Sequence, residues 1–356
     1  MLITSFFASR LDIRGLPQLE KVPYVDPGED DTLIMCAGFE QRSLHSLSLV
    51  NLDSKFDLFA VRYIPDVPEN QALGIERLLV NRAAVLHWFV YDRENPEGTP
   101  YSIVQRIISS GKGGRVYLDI SGMSRLMIVQ FIAALSESML IKRAIVVYVE
   151  AVSYDPDQGE VLRLLASAQE RGEEDKFFSL VSAGVFGLTV VPELSSVAML
   201  GQPIHLVFFP TWNTMQFAAT VAEVQASSLS VVLPRSVETG LTWMSDAMQS
   251  LSRLDPRMAA DEDVHHCSVH DYAETIATLG KVYDKFGLLH RLLISPTGSK
   301  MQTVGVGIFK VFFNDAQIVY PTPKTFTSPG RYSRGVKQMW ALDLASLPDI
   351  GEHNRL

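Results

Sequence analysis

Three short segments of the chain recur in its second half, in the same order and after nearly the same interval. The recurring pairs are Ala144–Tyr148 with Ala316–Tyr320, Val85–Asp92 with Val264–Asp271, and Leu118–Gly122 with Ile294–Gly298. The three intervals differ by only a few residues, as variation in loop length would produce. Self-similarity of this kind predicts an internal duplication, which restricts the chain to folds built from two copies of one unit.

Runs rich in strand-forming residues alternate with helical stretches in both halves. Most of these runs are apolar, as expected of strands that are buried on both faces of a parallel sheet. In the first half they are Thr32–Ala37, Phe56–Tyr63, Ala84–Tyr91, Arg115–Ile120 and Ala144–Glu150. In the second half they are Ile204–Phe209, Leu229–Leu233, Val264–Val269, Arg291–Ser295 and Ala316–Tyr320.

The alternation predicts an α/β fold in which each half is Rossmann-like, with a mainly parallel sheet and helices on its faces. The duplication predicts that the two halves form a pseudo-dimer within one polypeptide. We expect the first half over residues 1–152, a connecting segment over 153–200, and the second half with a C-terminal loop over 201–356. The connecting segment contains a charged stretch predicted as a helix, Val161–Arg171, and a further predicted strand, Val185–Val191.

Composition restricts the partners that we expect. The formal net charge of −9 argues against sequence-independent binding to a nucleic-acid backbone, which needs a dense Lys/Arg surface. The longest apolar stretches, near Leu126–Leu140 and Val304–Phe313, are interrupted by polar residues and are shorter than the roughly 20 residues that span a bilayer. Met1–Gly15 lacks the basic start of a signal peptide. The two cysteines, Cys36 and Cys267, indicate a reducing compartment, so we expect a cytoplasmic protein without a membrane partner.

In each half, the fourth predicted strand ends in a small loop, rich in glycine and hydroxyl groups, that leads into a helix. The residues are Ser121, Gly122, Ser124 and Arg125 in the first loop, and Thr297, Gly298, Ser299 and Lys300 in the second. Open α/β sheets bind ligands at the carboxyl ends of their strands, and a helix N-terminus attracts anions. The alternative is that the hydroxyl residues only cap the helix and glycine eases the turn. Two copies, each ending in a cation, favour a phosphate or nucleotide site.

A strand, the loop Thr297–Lys300, an apolar helix and a strand ending in Tyr320 together resemble the CARF (CRISPR-associated Rossmann fold) family. That family carries a Gly-Gly-Thr-Lys-like loop after its fourth strand. Its subunits pair so that two such loops face each other and hold a cyclic oligonucleotide. The related SAVED family looks like two CARF units fused in one chain, which is the arrangement inferred here. This sequence has Ser121 and Thr297 in place of the first glycine, and one more residue before Arg125.

The loops after the first strand of each half lie at the same sheet edge and supply further candidates. They contain Gly38, Phe39, Glu40 and Arg42 in the first half, and Trp212 and Asn213 in the second. Glu40 and Arg42 could bind a ribose or phosphate, or act in general acid–base chemistry. Phe39 or Trp212 could contact a base, and Asn213 could form hydrogen bonds with it. The alternative is a salt-bridged loop and an aromatic anchor.

Asp119 lies at the junction of the fourth strand and its loop, where a carboxylate is costly unless it is paired or functional. It could activate a ribose hydroxyl or pair with Arg125. Its counterpart in the second half is Ser295, so chemistry that uses Asp119 would be asymmetric. Asp119 and Glu40 are therefore the candidate catalytic residues.

Two further segments of the second half contain candidate ligand-binding residues. His265, His266, Cys267 and His270 contain ligand types for zinc, but neighbouring side chains of a strand point to opposite faces. We therefore expect no metal. Near the C-terminus, a polar stretch rich in proline and glycine carries Arg331, which could cover an anionic ligand or lie on a plain surface loop.

The residues and the resemblance together predict a nucleotide-binding sensor or regulatory protein of an antiviral defence system, whose ligand is a phosphate-containing nucleotide or a cyclic oligonucleotide. The ligand would lie between the two halves against the loops at Gly122 and Gly298, and no cofactor is expected. Because no effector domain is recognisable in the sequence, such a sensor would signal to a separate effector protein. One alternative is a ring-nuclease-like phosphodiesterase that degrades the signal. Another is a ligand-free scaffold subunit of a defence complex.

Overall fold

The computed structural model describes residues 6–171, 182–236, 242–254, 263–326 and 332–349. The helices are α1 Phe6–Arg10, α2 Gln41–Ser48, α3 Ala72–Leu79, α4 Thr99–Ser109, α5 Arg125–Glu137, α6 Gln158–Arg171, α7 Thr214–Val224, α8 Thr242–Leu254, α9 Tyr272–Phe286 and α10 Lys300–Phe312. The first eight strands are β1 Glu20–Val22, β2 Thr32–Cys36, β3 Asp57–Ile64, β4 Val85–Asp92, β5 Val116–Asp119, β6 Ala144–Glu150, β7 Ser153–Tyr154 and β8 Ser182–Thr189. The remaining strands are β9 Ile204–Phe208, β10 Ser228–Arg235, β11 Val264–Ser268, β12 Arg291–Ser295, β13 Gln317–Ile318, β14 Tyr320–Phe326, β15 Ser333–Arg334 and β16 Gln338–Asp343.

The described residues form two compact units. The first, called the N-unit, comprises those within Gly15–Asp155 and Pro329–Leu347. The second, called the C-unit, comprises those within Met1–Arg14, Pro156–Ser328 and Pro348–Leu356. Each unit thus takes elements from both ends of the chain: β16 belongs to the N-unit, and α1 packs on α9 in the C-unit.

The N-unit contains a seven-stranded sheet in the order β1-β16-β6-β5-β2-β3-β4. Strands β2 to β6 are parallel, and β16 and β1 add to one side in antiparallel orientation. All five residues of β2 and all seven of β6 are buried, which explains their continuous apolar sequences. Along β2, Leu33 and Met35 pack in one cluster with Leu47 of α2 and Ile75 of α3, so the alternate residues face the opposite layer.

The C-unit contains a five-stranded parallel sheet in the order β11-β10-β9-β12-β13. A separate antiparallel pair is formed by β8 and β14. The predicted strand Val185–Val191 is therefore confirmed in position as β8, and its partner β14 begins at Tyr320. Only Gln317 and Ile318 of the predicted strand Ala316–Tyr320 pair with β12. The predicted helix Val161–Arg171 is confirmed within α6.

The five parallel strands have the same order in both units. Numbered along the chain within each unit, they lie in the order third, second, first, fourth, fifth, which is the arrangement of half a classic Rossmann sheet. All ten predicted strands are present, and the α/β class with mainly parallel sheets is confirmed. The pseudo-dimer that the duplication suggested stays a prediction.

The end of β6 shows why the C-terminal strand belongs to the N-unit. The Glu150 carboxylate is buried and accepts hydrogen bonds from Trp340 Nε1 at 2.9 Å and Gln338 Nε2 at 2.8 Å. Lys337 Nζ lies 3.1 Å from Glu150 Oε1. A buried carboxylate is tolerated when its oxygens are paired in this way. Two residues of β16 and the residue before it are thus held to the sheet by one side chain.

The first parallel strand of the C-unit, β9, carries a buried histidine, His205. Its Nδ1 lies 2.7 Å from Ser228 Oγ and its Nε2 lies 2.9 Å from Ser230 Oγ. The ring stacks on Phe286 with the ring centroids 3.7 Å apart. Burial lowers the pKa of His205 to about 4, with the charge of His290 as a smaller cause, so the imidazole is neutral at pH 7.

This histidine predicts a loss of stability at mildly acidic pH. The unfolded chain binds a proton at His205 below about pH 6.5, whereas the folded chain does so only near pH 4. Stability from this group is therefore complete above pH 6.5 and falls as the pH decreases from 6.5 to 4. Between pH 7.5 and 5.5 we expect a loss of about 1 kcal/mol in the free energy of unfolding that disappears in His205→Gln.

Chemical denaturation of the wild type and the variant at both pH values measures this difference. The matched control is His45→Gln, because His45 is exposed on α2 and should leave the wild-type pH dependence in place. An equal loss in the wild type and in His205→Gln would contradict the assignment.

Candidate functional site

In each unit, the loops after the first and fourth parallel strands meet at a topological switch point. In the N-unit β2 lies between β5 and β3, so the chain leaves the sheet in opposite directions from β2 and β5. The C-unit repeats this arrangement with β9 between β12 and β10. Ligands of open α/β sheets bind outside the carboxyl ends of the strands at such a point. The two groups of sequence-predicted loops therefore lie where this topology places a binding crevice.

Glycine is required where the two loops of the N-unit approach each other. A Cβ atom built on Gly122 would clash with the backbone oxygen of Cys36 and lie 2.7 Å from Ser43 Oγ. A Cβ atom on Gly38 would lie 3.0 Å from the backbone oxygen of Gly122. Contact between the protein's own loops is thus a sufficient reason for both glycines.

Asp119 and Ser121 connect the loop after β5 to its neighbours. The Asp119 carboxylate is buried and accepts hydrogen bonds from Ser46 Oγ of α2 and from the Ser121 backbone N–H, the latter at 2.9 Å. Ser121 Oγ accepts from the backbone N–H of Val149 at 2.9 Å. These bonds hold the loop between α2 and β6, and they engage both oxygens of the candidate catalytic carboxylate.

Glu40 and Arg42 form a buried ion pair at the carboxyl ends of β2 and β6. Arg42 Nη2 lies 2.8 Å from Glu40 Oε2. Arg42 Nη1 donates to Tyr148 Oη at 3.1 Å, and Tyr148 Oη lies 2.8 Å from Tyr154 Oη. Burial opposes the charge of Arg42, but Glu40, Tyr148 and Tyr154 together outweigh burial and raise the pKa of Arg42 above its ordinary value. Burial raises the pKa of Tyr154, which keeps this phenol neutral beside the ion pair.

Residues of the returning C-terminal segment cover this ion pair. Ser333 Oγ donates to the Glu40 carboxylate, and the Tyr332 ring packs edge-on against Phe39 with the centroids 5.1 Å apart. Tyr148, Tyr154 and Ser333 were missed by the sequence analysis. The repeat contained a signal for the first, since Tyr148 is the counterpart of Tyr320.

The start of α5 combines a cap with a cation. Ser124 is the N-cap, and its side chain accepts a hydrogen bond from the Met127 backbone N–H. The Ser124 backbone N–H donates to Tyr63 Oη at 2.6 Å, and Tyr63 Oη lies 3.3 Å from the Gly122 carbonyl oxygen. Arg125 is the first residue of the helix. Helix capping thus accounts for Ser124. It does not account for a basic residue, Arg125, at the first position of the helix.

The start of α10 has the same design. Ser299 is the N-cap of a complete capping box with Gln302. Ser299 Oγ also donates to the Val269 carbonyl at 2.6 Å. Thr297 Oγ1 donates to the carbonyl of Phe209, which ties this loop to the end of β9. Lys300, the first residue of the helix, is buried.

Gly298 also packs closely within its loop. A Cβ atom at this position would clash with Gln302 Oε1 and lie 3.2 Å from Cβ of Phe209. A side chain here would press on the Gln302 side chain that completes the capping box, whereas at Gly122 it would press on backbone.

Trp212 and Asn213 are both buried in the C-unit. Trp212 belongs to an apolar cluster between α6 and α8 and stacks on Trp243 with the centroids 5.9 Å apart. Asn213 Nδ2 donates to Ser182 Oγ at 2.9 Å. In this position Trp212 packs as a core side chain, which is the aromatic anchor of the alternative interpretation.

Buried polar atoms without a hydrogen-bond partner collect at the two switch points. Among the described residues, five of the eleven such side-chain atoms lie on the segments that flank these points. They are Arg42 Nε, Ser43 Oγ, Asn213 Oδ1, Thr214 Oγ1 and Ser295 Oγ. Buried polar groups usually have partners, so each of these atoms calls for an explanation, and a bound polar ligand or water supplies one.

Three further findings concern the remaining candidates. Arg331 lies outside the described residues. Within the described part of the chain, no group of three or more His, Cys, Asp or Glu side chains could hold a metal ion. No helix in that part is both long enough and apolar enough to cross a membrane.

Comparisons with known proteins give no family for the chain. No family model and no curated protein matches it. Similar solved structures include an N-terminal ketoreductase from a macrolactin assembly line, at 9% identity and a TM-score of 0.21, covering 85% of this chain and 74% of that one. A C2-type ketoreductase from a modular polyketide synthase has 12% identity and a TM-score of 0.18, with coverages of 86% and 81%. The N-domain of a bacterial malonyl-CoA reductase with NADP has 11% identity and a TM-score of 0.19, with coverages of 81% and 78%.

TM-scores near 0.2 carry no argument about this chain. The functional interpretation therefore rests on the switch points themselves. Each offers backbone N–H groups at two helix starts, hydroxyl groups, buried polar atoms without partners, and a cation at the first position of the helix after the fourth strand. This set of groups is suited to binding an anion.

The close approach of the loops predicts that Gly122→Ala lowers the free energy of unfolding by about 1–3 kcal/mol, because the added methyl group must displace backbone. Gly113→Ala is the matched control: its Cβ would meet only Arg143 Nη1, at 4.0 Å, so stability should be unchanged or slightly higher. Urea denaturation of both variants measures the difference. Equal stabilities would contradict the packing assigned to Gly122.

Proposed function

We propose that this protein binds a phosphate-containing nucleotide at its switch points and acts as a sensor or regulatory protein of an antiviral defence system. The ligand class follows from the chemistry of the switch points. The biological setting follows from the resemblance to the CARF and SAVED families, in which fused Rossmann units hold cyclic oligonucleotides. We also propose that the two units arose by duplication, as their identical strand order supports.

The observation that carries the proposal is the repeated start of the helix after the fourth strand. Both α5 and α10 begin with a serine N-cap followed directly by a cation, Arg125 in one unit and Lys300 in the other. Neither helix has an acidic residue in its first turn. The N-terminus of a helix carries a partial positive charge that attracts anions, and a basic side chain at the same point adds to this attraction. A phosphate group at this point would interact favourably with both the cation and the helix dipole.

The location of the unpartnered atoms supports the same ligand class. Ser43 Oγ and Arg42 Nε can donate to phosphate oxygens, and Asn213 Oδ1 can accept from a base or a ribose hydroxyl. Equivalent elements supply these atoms in the two units, since α2 and α7 both follow the first parallel strand. This agreement between the units supports one ligand chemistry at both switch points.

The hydrogen bonds of Asp119 favour sensing of the ligand over its degradation. Both of its carboxylate oxygens accept hydrogen bonds, one from Ser46 and one from the backbone of Ser121. A general base needs a lone pair directed at the substrate proton. The described partners of Asp119 hold the loop in place, so a phosphodiesterase activity is the second candidate and a ligand-free scaffold the third.

The proposal predicts a rise in the melting temperature with one class of nucleotide. Cyclic oligonucleotides, linear oligonucleotides and mononucleotides are the probes, and a ligand at 100 times its Kd stabilises the folded state by about 2.7 kcal/mol. We expect the shift to be strongly reduced in Arg125→Gln and Lys300→Met, with affinity reduced about tenfold or more, as measured by isothermal titration calorimetry.

Two exposed cations provide the matched controls. Arg106→Gln on α4 and Lys281→Met on α9 make the same chemical changes away from the switch points and should keep the wild-type affinity. Because Lys300 is buried, the ligand-induced shift of each variant is compared with that variant's own melting temperature. Chromatography of each mixture then separates binding from cleavage. No shift with any probe would overturn the proposal and favour a scaffold.

A further inference from the structure

The outer strand of the N-unit sheet has an unpaired edge. β4 is the last strand of the seven-stranded sheet and, among the described strands, pairs only with β3. The backbone N–H groups of Val85 and Arg93 donate to Phe56 and Ile64 on the β3 side. The hydrogen-bonding direction alternates along a strand. The N–H and C=O groups of Leu86, Trp88 and Val90 therefore point away from β3. These groups form a ladder that another strand can extend.

β4 lacks the features that usually protect an edge strand. Its eight residues, Val-Leu-His-Trp-Phe-Val-Tyr-Asp, include no lysine, arginine or proline, and its register with β3 is continuous. Natural edge strands are usually short, charged, interrupted by proline or bulged.

The other described edges are protected in these ways. All three are shorter than β4: β1 has three residues, including Glu20 and Lys21, β13 has two residues, and β11 has five. In the separate pair of strands, β14 contains two prolines, and its register with β8 shifts between Thr322 and Pro323.

Exposed apolar side chains lie along this edge. Val85 and Val90 of β4 are 43% and 53% exposed. Leu73 of α3 is 66% exposed, and Val80, directly after the helix, is 64% exposed. α3 packs on the same face as Leu86 of β4, so the apolar groups continue from the strand onto the helix. Val90 lies on this same face, because side chains alternate along a strand, and exposed apolar groups beside an open strand edge favour an interaction surface.

We propose that this edge pairs with the same edge of a second copy of the chain. The two β4 strands would run antiparallel about a two-fold axis at Trp88, so that Leu86 of each copy lies opposite Val90 of the other. The Val90 carbonyl already accepts from Thr99 Oγ1 at 2.9 Å and uses its second lone pair in this arrangement. The sheet then continues from one copy into the other.

The charges around the edge favour a second copy as the occupant. Arg62 pairs with Glu76 at 2.7 Å, and Asp57 pairs with Lys112 at 2.7 Å. Both of these cations near the strand are therefore matched by carboxylates, although the whole chain has a net charge of −9. An apolar and locally neutral edge meets its own copy without a charge penalty, whereas a strongly charged partner would find no complementary charge here. A two-fold interface also requires this kind of self-complementarity.

The size of the surface predicts a weak dimer. A strand of eight residues spans about 26 Å, and with the flank of α3 the strip covers roughly 500 Å² on each copy. This is near the lower limit for specific interfaces, so we expect a Kd of order 10 µM. Dimers should therefore dominate at about 100 µM chain.

Sedimentation equilibrium of the full chain from about 1 to 200 µM tests the proposal. We expect the wild type to approach twice the chain mass at the upper end, and Val90→Lys to remain at the chain mass throughout. Val90→Pro removes the outward N–H group and should have the same effect. The matched control is Val197→Lys, because Val197 is 78% exposed in the C-unit and its variant should dimerise as the wild type does.

Melting temperatures within about 2 °C of the wild type show that the β4 variants are folded. A wild type that stays at the chain mass up to 200 µM would overturn the proposal. An unchanged association of Val90→Lys and Val90→Pro would overturn it as well. The proposal is independent of the nucleotide site, because none of the substituted residues belongs to the switch-point loops.

Discussion

The close approach of two loops determines much of the N-unit. The loops that contain Gly38 and Gly122 meet with no room for a side chain, and this contact places the start of α5 beside the end of β2. From Leu126 to Leu135 every residue of α5 is buried, so the position of this helix also determines the packing of the core. The candidate site and the core thus depend on the same contact. A substitution at the loops would alter both, which is why core stability and ligand binding must be measured separately.

Capping explains the serines of the two loops, whereas it does not explain the cations. Ser124 and Ser299 satisfy backbone N–H groups of the helices that they precede. Such caps are common at helix starts and indicate no ligand. A cation at the first helical position is different, because the helix dipole disfavours positive charge there. Arg125 and Lys300 occupy this position in both units, and this repetition is the basis for proposing an anionic ligand.

Strand positions could be predicted from the sequence because each strand is a local run of buried apolar residues. The ten strands could be predicted from the hydrophobic pattern of each segment and from the turn residues at its ends. The shared order of elements could be predicted from the repeat. The glycines and caps of the loops could also be predicted, since the loops are short and follow directly from the strands.

Contacts between distant parts of the chain could not be predicted. Nothing in the sequence near Glu150 indicates that Trp340 donates to its carboxylate, or that β16 completes the N-unit sheet. The phenols around Arg42 could not be predicted for the same reason. Tyr148 and Tyr154 contact Arg42 only because the fold brings the ends of β6 and β2 to one edge of the sheet. Trp212 was interpreted from its loop position, whereas its burial depends on α6 and α8.

The sheet of the N-unit separates the proposed ligand site from the proposed dimer edge. The switch point lies at the carboxyl ends of β2 and β5, in the middle of the strand order, whereas the unpaired edge lies two strands away at β4. Loop atoms and helix starts supply the chemistry of the first, and the backbone of β4 supplies that of the second. A substitution such as Val90→Lys changes the edge without altering any loop at the switch point. The proposed association of copies and the proposed binding of an anionic ligand can therefore be changed one at a time, which allows any coupling between them to be measured as a free energy.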